Sequence, residues 1–347
     1  MSGGVDSSVA AALLKDQGHE IVGMMLRLWS ERGTEDSNRC CTPDAMNLAR
    51  RVAAKLEIPF YVVDAKDIFR RTVVQSFLDG YARGETPNPC LVCNRQIRWT
   101  FLLEHALALG AEFMATGHYA RLARGEDGKV QLRRAVDWAK DQSYVLHVLD
   151  QERLRRALFP VGDYVKPEIR RLAESYGLPT SSRRDSQDLC FLAGGDYRDF
   201  IGRNGAEMLR PGPIIDRSGK VLGEHNGLAN YTIGQRKGLH LGGPLPLYVV
   251  EKLTVSNSIV VGAAVEMGVR RLTAVGVNWV SGSPILGPMR ANVKTRYTAR
   301  EQPATIVPLE QGDQVEVLFE SAQRDITPGQ AAVFYEDDLV LGGGLIR

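Results

Sequence analysis

The chain has 347 residues, 44% of them hydrophobic and 24% charged, enough for two or three globular domains with a sizeable core. Its 43 Lys and Arg against 41 Asp and Glu leave a formal charge of +2, so the overall balance neither demands nor excludes a polyanionic partner. No run of 18 apolar residues exists and the five cysteines are unevenly spaced; no membrane span and no disulfide framework are expected, and a thiol-using protein of the cytoplasm is.

Ser2-Gly3-Gly4-Val5-Asp6-Ser7-Ser8 opens the chain and runs into the helix-forming Val9-Ala10-Ala11-Ala12-Leu13-Leu14. Backbone N–H groups freed by the glycines can wrap a phosphate, and the positive end of the following helix faces the same anion. The stretch lacks the lysine of a Walker loop, which serves γ-phosphate transfer. A loop without it suits a pyrophosphate leaving group and hence attack at an α-phosphate. The plain alternative is a Gly-Ser turn capping an ordinary helix. A loop of this kind normally follows an apolar strand, and only Met1 precedes it. The expectation is that the natural start lies upstream and that the first strand of the sheet is missing here.

The apolar residues 21–26 read as a buried strand. The adjacent Cys40 and Cys41 point different ways, cannot easily share a metal and are read as structural or incidental. Thr42-Pro43-Asp44 supplies an N-cap, a proline at the first helical position and an early acid, with helical spacing behind it. Residues 60–63 form the next strand. Within Thr86-Pro87-Asn88-Pro89-Cys90-Leu91-Val92-Cys93-Asn94 the prolines hold an extended turn and a helix is expected to begin near Asn94. A thiol at a helix start has its thiolate stabilised by exposed N–H groups, which makes Cys93 a candidate nucleophile. A helix over 97–109 stops at Gly110, a strand over 112–116 ends in Gly117-His118, and a helix over 167–176 stops at Gly177. Strand–helix alternation over residues 1–200 predicts a doubly wound parallel sheet covered on both faces.

The pattern changes near residue 200. Residues 201–268 read as a small β-rich central domain with a hairpin turn at Asp216-Arg217-Ser218-Gly219-Lys220 and strands at 247–250 and 258–261. Residues 269–347 are short strands only, at 272–277, 289–297, 304–308, 314–319, 331–335 and 339–341, and predict a small barrel.

Several clusters can carry chemistry. Cys90, Cys93 and the distant Cys190 allow three readings: inert core thiols, a catalytic thiol pair, or three thiolates on an iron–sulfur cluster with one iron open. A zinc site would want a fourth ligand, His118 being the best placed. Gly117 permits close approach of a nucleotide at a strand end. Lys140 could steady phosphate charge while Asp141 and Gln142 bind a base edge; a surface turn is the alternative. Gly234-Gln235-Arg236-Lys237-Gly238-Leu239 suits a polynucleotide backbone, and Lys294-Thr295-Arg296-Tyr297 alternates charge and aromatic on a strand, where Tyr297 could stack and Arg296 pair with phosphate.

The opening loop resembles that of the PP-loop ATP pyrophosphatases. With Thr86-Pro87-Asn88-Pro89, Ala115-Thr116-Gly117-His118-Tyr119, Lys140-Asp141-Gln142-Ser143-Tyr144, Gly234-Gln235-Arg236-Lys237-Gly238-Leu239 and Thr327-Pro328-Gly329-Gln330, essentially the whole chain resembles the bacterial tRNA-specific 2-thiouridylases. The resemblance implies replacement of the C2 oxygen of a wobble uridine by sulfur, at the expense of ATP and with Mg2+. It implies that Met1, Ser2, Gly3, Gly4, Val5, Asp6, Ser7, Ser8, Leu26 and Gly117 hold ATP. Asn88, Pro89 and Cys90 would meet the target base, and His118, Lys140, Asp141, Gln142, Arg296, Tyr297 and Gln330 the tRNA. Cys190 would receive sulfur as a persulfide from a donor protein, and Cys93 would end in a disulfide with it. The family often has Asp where Cys90 stands. That departure raises the alternative that Cys90, Cys93 and Cys190 ligate a four-iron four-sulfur cluster. Two rivals are a PP-loop amide or guanidine synthetase, which needs no thiols, and a non-catalytic RNA-binding module.

Overall fold

The computed structural model describes residues 1–31, 42–183, 189–192, 195–242, 245–310, 312–324 and 326–347. Cys40 and Cys41 lie outside them. The Gly3-Gly4 turn leads into a helix, Val5–Asp16, whose residues Ser8 to Leu14 are all buried. A strand, Gly23–Arg27, pairs in parallel with Phe60–Asp64, from Gly23 opposite Phe60 to Arg27 opposite Asp64. The helix between them, Pro43–Lys55, begins where the cap chemistry places it: Thr42 Oγ1 accepts the Ala45 N–H at 3.0 Å. A second parallel pair joins Met114–Ala115 to Ala157–Leu158. The helix Lys166–Ser175 ends before Gly177, whose φ of +60° is the left-handed stop that glycine takes without strain. These parallel strands and helices form the α/β part of the chain.

The helix carrying the thiols differs from expectation. It begins at Pro89, not near Asn94, because Asn88 caps it: its side chain accepts the Cys90 N–H at 3.1 Å, and Pro89 needs no partner for a missing N–H. Cys90 therefore occupies the first turn, and Cys93 begins a ten-residue stretch, Cys93–Leu102, with wider π-type hydrogen bonding.

Gly212–Ile215 and Val221–His225 form the expected hairpin, closed by Asp216 N–H donating to the Lys220 carbonyl at 3.0 Å. With Tyr248–Leu253 and Ser258–Gly262 they make a four-stranded sheet over a core of Ile214, Leu228, Tyr231, Val249 and Ile259. Six strands, Val269–Trp279, Met289–Lys294, Gln302–Pro308, Val315–Gln323, Ala331–Glu336 and Leu339–Ile346, close into a barrel through pairing of the first with the last. The second of these ends at Lys294, so Arg296 and Tyr297 lie in the turn beyond it rather than on a strand.

A hairpin that sequence periodicity did not reveal, Ala120–Arg124 with Val130–Arg134, joins the barrel sheet where Arg133 pairs with Leu339. One apolar cluster runs across this junction, from Trp99, Leu132, Tyr144 and Leu146 to Ala331, Val333 and Tyr335. Tyr144 Oη donates to the Ala331 carbonyl at 3.0 Å, and Asp338 accepts from Arg121 at 2.7 Å and Arg133 at 2.8 Å. The barrel thus shares its core with the α/β part, and burial of that apolar surface is what ties the two together.

Candidate active site

The opening loop is tied internally by its own serines. Ser2 N–H donates to Ser7 Oγ at 3.2 Å, and Ser7 and Ser8 hydroxyls donate to the Gly4 carbonyl at 3.2 and 2.8 Å. Gly3 has φ +70°, and a side chain there would collide with the Ala45 carbonyl. Its own carbonyl accepts from Arg183 Nη1 at 2.7 Å. Asp6 does not face outward alone: Lys166 Nζ lies 2.6 Å and Tyr119 Oη 2.8 Å from its Oδ1. Lys166 is 8% exposed and sits at the start of a helix, where the dipole disfavours a cation, so the carboxylate across from it is what holds it there. Lys166, Arg183 and Tyr119 went unread in the sequence as loop-bracing residues. A lysine at a helix start was the one available signal.

Gly117 meets this loop directly. A Cβ on it would stand 2.6 Å from the Ser7 nitrogen and 2.7 Å from the Asp6 carbonyl carbon, so the strand end and the loop touch through glycine alone. Met1 to Ser8 and Gly117 are therefore contiguous. Leu26, on the strand Gly23–Arg27, is partly buried against the cluster that also holds Cys93.

That cluster gathers the thiols. Cys93 is buried among Phe69, Val73, Phe77 and Phe191, and Cys190 packs against the same group at partial exposure. Phe191 places it there: its ring meets Phe77 at 5.2 Å and Phe200 at 5.3 Å, edge to face, and is 2% exposed. Residues 185–188, which precede Cys190 in the motif, lie outside the described residues. Cys90 is exposed in the first helical turn. Among the described residues no group of three or more His, Cys, Asp or Glu side chains is placed to hold a metal ion. The three thiols as arranged thus do not fit a cluster-ligating triad.

The target-base and tRNA candidates fall into two groups. Asn88, Pro89 and Cys90 lie on a segment gripped by the barrel. Thr86 N–H donates to the Pro328 carbonyl at 2.8 Å, Gln330 Nε2 donates to the Thr86 carbonyl at 2.7 Å, and a Cβ on Gly329 would stand 3.1 Å from Thr86. Arg296 donates to Thr327 Oγ1 beside this contact and to the Ile233 carbonyl of the central domain at 3.3 Å. Tyr297 is 39% exposed, its ring 6.1 Å from that of Tyr144. Burial first, then the nearby Asp141 and Cys90, raise its hydroxyl above the ordinary tyrosine value. Arg296, Tyr297, Gln330 and the Asn88–Cys90 segment are therefore neighbours.

The second group faces inward. Asp141 is 4% exposed, accepts from Ala135 N–H at 3.0 Å and Ser143 Oγ at 2.8 Å, and lies 3.5 Å from Arg134. Gln142 Oε1 accepts the Tyr119 N–H at 3.0 Å. His118 is 5% exposed, between Thr116 and Arg98. Lys140 is half-buried in the turn before them.

Three sequence families match end to end: tRNA methyl transferase HUP domain over residues 1–194, tRNA methyl transferase PRC-barrel domain over 198–263, and aminomethyltransferase beta-barrel domain over 269–346. Curated relatives carry a different activity in their names. The tRNA-specific 2-thiouridylase MnmA of Clostridium perfringens strain 13 is 44% identical over 349 residues, 100% of this chain and 97% of its own. Those of Chloroflexus aurantiacus and Moorella thermoacetica are each 47% identical, across 100% of this chain and 96% and 98% of theirs. Among solved structures, the U34-tRNA thiolase NcsA from Methanococcus maripaludis with its 4Fe-4S cluster aligns at a TM-score of 0.35 and 20% identity, over 59% of this chain and 64% of that one, too low to bear on the site.

Proposed function

The chain belongs to the tRNA-specific 2-thiouridylase family, and on that premise we propose that it adenylates the C2 oxygen of a wobble uridine in tRNA and then replaces that oxygen with sulfur held by a cysteine. The observations that support the reading are the packing of Cys93 and Cys190 in one apolar cluster, the capped helix that bears Cys90 and Cys93, and the contact of Gly117 with the opening loop. Nucleotide and sulfur chemistry are assigned to residues 1–200, and tRNA contact to residues 201–268 and 269–347 as well.

In the first step the uridine O2 bonds to the α-phosphorus of ATP. The bond from that phosphorus to the bridging oxygen breaks, pyrophosphate leaves with the electron pair into the Ser2–Ser8 loop, and the N3 proton passes to solvent. The loop's N–H groups and the helix behind it stabilise that leaving charge. Bound Mg2+ would offset phosphate charge during this step. In the second step a persulfide on Cys190, loaded by a sulfur-donor protein, attacks C2 and AMP leaves with the former base oxygen. Cys93 thiolate then attacks the Cys190 sulfur, the S–S bond breaks, and thiocarbonyl uridine is freed. The product disulfide between Cys93 and Cys190 is reduced by an external dithiol. The base must leave the anticodon stack to reach these groups, and Asn88 to Cys90, Arg296, Tyr297 and Gln330 are its proposed receivers. A cytoplasmic setting accords with thiols in working use. Among the described residues no helix is long and apolar enough to cross a membrane.

Nucleoside analysis of tRNA from a strain lacking this gene tests the reading. Loss of 2-thiouridine derivatives, restored by the wild-type gene and not by Cys93→Ser or Cys190→Ser, is expected. Unchanged 2-thiouridine in the deletion strain contradicts the reading, and full restoration by Cys93→Ser contradicts the role given to that thiol.

A further inference from the structure

His118, expected at the tRNA surface, is buried and engaged on both ring nitrogens. Its Nε2 lies 3.0 Å from Arg98 Nη1 and its Nδ1 2.7 Å from Thr116 Oγ1. A guanidinium only donates, so Nε2 must accept; the ring proton is then on Nδ1 and is given to Thr116. The ring also stands edge-on to Phe159 at 6.1 Å, which fixes its plane. Burial, with Arg98 second, holds the imidazole neutral well below the ordinary histidine range. A neutral imidazole orients a guanidinium without cancelling its charge.

The position of that charge matters. Thr116 and His118 flank Gly117, the residue that touches Asp6 and Ser7 of the phosphate loop. Arg98 also stands close enough to Met1, at the head of the loop, to act on it electrostatically. Arg98 lies five residues beyond Cys93 in the stretch Cys93–Leu102, where i→i+5 bonding sets residues five apart above one another.

We propose that Arg98 is a catalytic residue that contacts the α-phosphate during adenylation, and that His118, backed by Thr116, is its positioning residue. The inference rests on the adenylating reading above. As the O2–phosphorus bond forms and the bond to pyrophosphate breaks, negative charge gathers on the non-bridging and leaving oxygens. A guanidinium held at one edge by His118 can donate N–H groups to them and adds the formal positive charge that the lysine-free loop lacks.

Single-turnover release of pyrophosphate from ATP, dependent on unmodified tRNA and run without a sulfur donor, tests this on the full-length protein. Arg98→Gln is expected to slow release by about 100-fold or more at saturating ATP and tRNA, with both dissociation constants within about threefold of wild type. His118→Ala is expected to slow it about tenfold or more with tRNA affinity unchanged, and His118→Gln, whose amide oxygen can accept the same N–H, to recover most of the rate. Wild-type rates in Arg98→Gln overturn the proposal, as does a His118→Ala protein that binds tRNA weakly yet reacts normally at saturation. Should Arg98→Gln not fold by circular dichroism, Arg98→Lys decides: a folded protein slowed about tenfold or more supports the bidentate role, and wild-type rate overturns it. Wild-type protein that releases no pyrophosphate overturns the adenylating reading, and this inference with it.

Discussion

Cys190 is only partly buried, and its place beside Cys93 depends on the residue after it. Phe191 is the anchor, seated among Phe69, Phe77 and Phe200. Phe191→Ala is expected to cost about 3 kcal/mol or more by urea unfolding, and thiolation is expected to fall further than pyrophosphate release. Phe191→Leu should retain most of both. At the loop, Gly117→Ala forces a methyl to within 2.6 Å of the Ser7 nitrogen, a backbone atom that cannot swing aside. Its expected effect is a rise of about tenfold or more in the KM for ATP with the melting temperature little changed. Among the described residues, Lys166→Met leaves the Asp6 carboxylate with Tyr119 as its side-chain donor from another element; because the Asp6 side chain is 31% exposed, the expected loss is modest, about 1–2 kcal/mol in chemical denaturation.

At the scale of elements, local chemistry was legible where it is self-contained. Thr42 before Pro43, the Asp216–Lys220 turn and Gly177 each act within a few residues, and each element ends where that chemistry puts it. Asn88 is the instructive miss. Pro87 and Pro89 drew attention to an extended turn, yet Asn88 before Pro89 is itself a cap followed by an N1 proline, so the helix starts one turn earlier and presents Cys90, not Cys93, to the exposed N–H groups. Asn88→Ala is expected to destabilise this helix start by about 1 kcal/mol, read as faster amide exchange over residues 89–93. The hairpin Ala120–Arg134 escaped notice because Arg121, Arg124, Arg133 and Arg134 interrupt its apolar alternation, and its attachment to the barrel, Arg133 to Leu339, spans some two hundred residues. The same distance hid the roles of Gln330, bonded to Thr86, and of Asp141, whose ion-pair partner Arg134 also reaches Glu301 on the barrel side. Polar residues clustered in sequence read as a nucleic-acid surface; tertiary packing turned Asp141, Gln142 and His118 inward.

Across the whole molecule, the shared core joins the barrel to the α/β part that carries the thiols. His147 sits on that seam. Its Nδ1 donates to the Tyr144 carbonyl at 2.7 Å, its carbonyl accepts from Asn278 at 2.6 Å, and its ring lies against Gly343. Burial lowers it to about 4. Between that value and the ordinary 6.5 the unfolded chain binds a proton that the folded one refuses, so stability is full above about pH 6.5 and is lost as pH falls. The loss is on the order of 3 kcal/mol by pH 4, and His118 contributes in the same direction. Thermal denaturation followed from pH 7.5 to 5 should show a falling midpoint, with a shallower slope in His147→Asn; a flat profile contradicts buried neutral histidines at this junction. The central claim is that two thiols held in one apolar cluster hand a single sulfur to an adenylated base. Peptide mass spectrometry after one turnover, with persulfide-loaded protein, ATP and unmodified tRNA and no reductant, tests it most directly. The account predicts a Cys93–Cys190 cross-linked peptide pair appearing in proportion to 2-thiouridine, and 2-thiouridine formed while both cysteines stay reduced contradicts it.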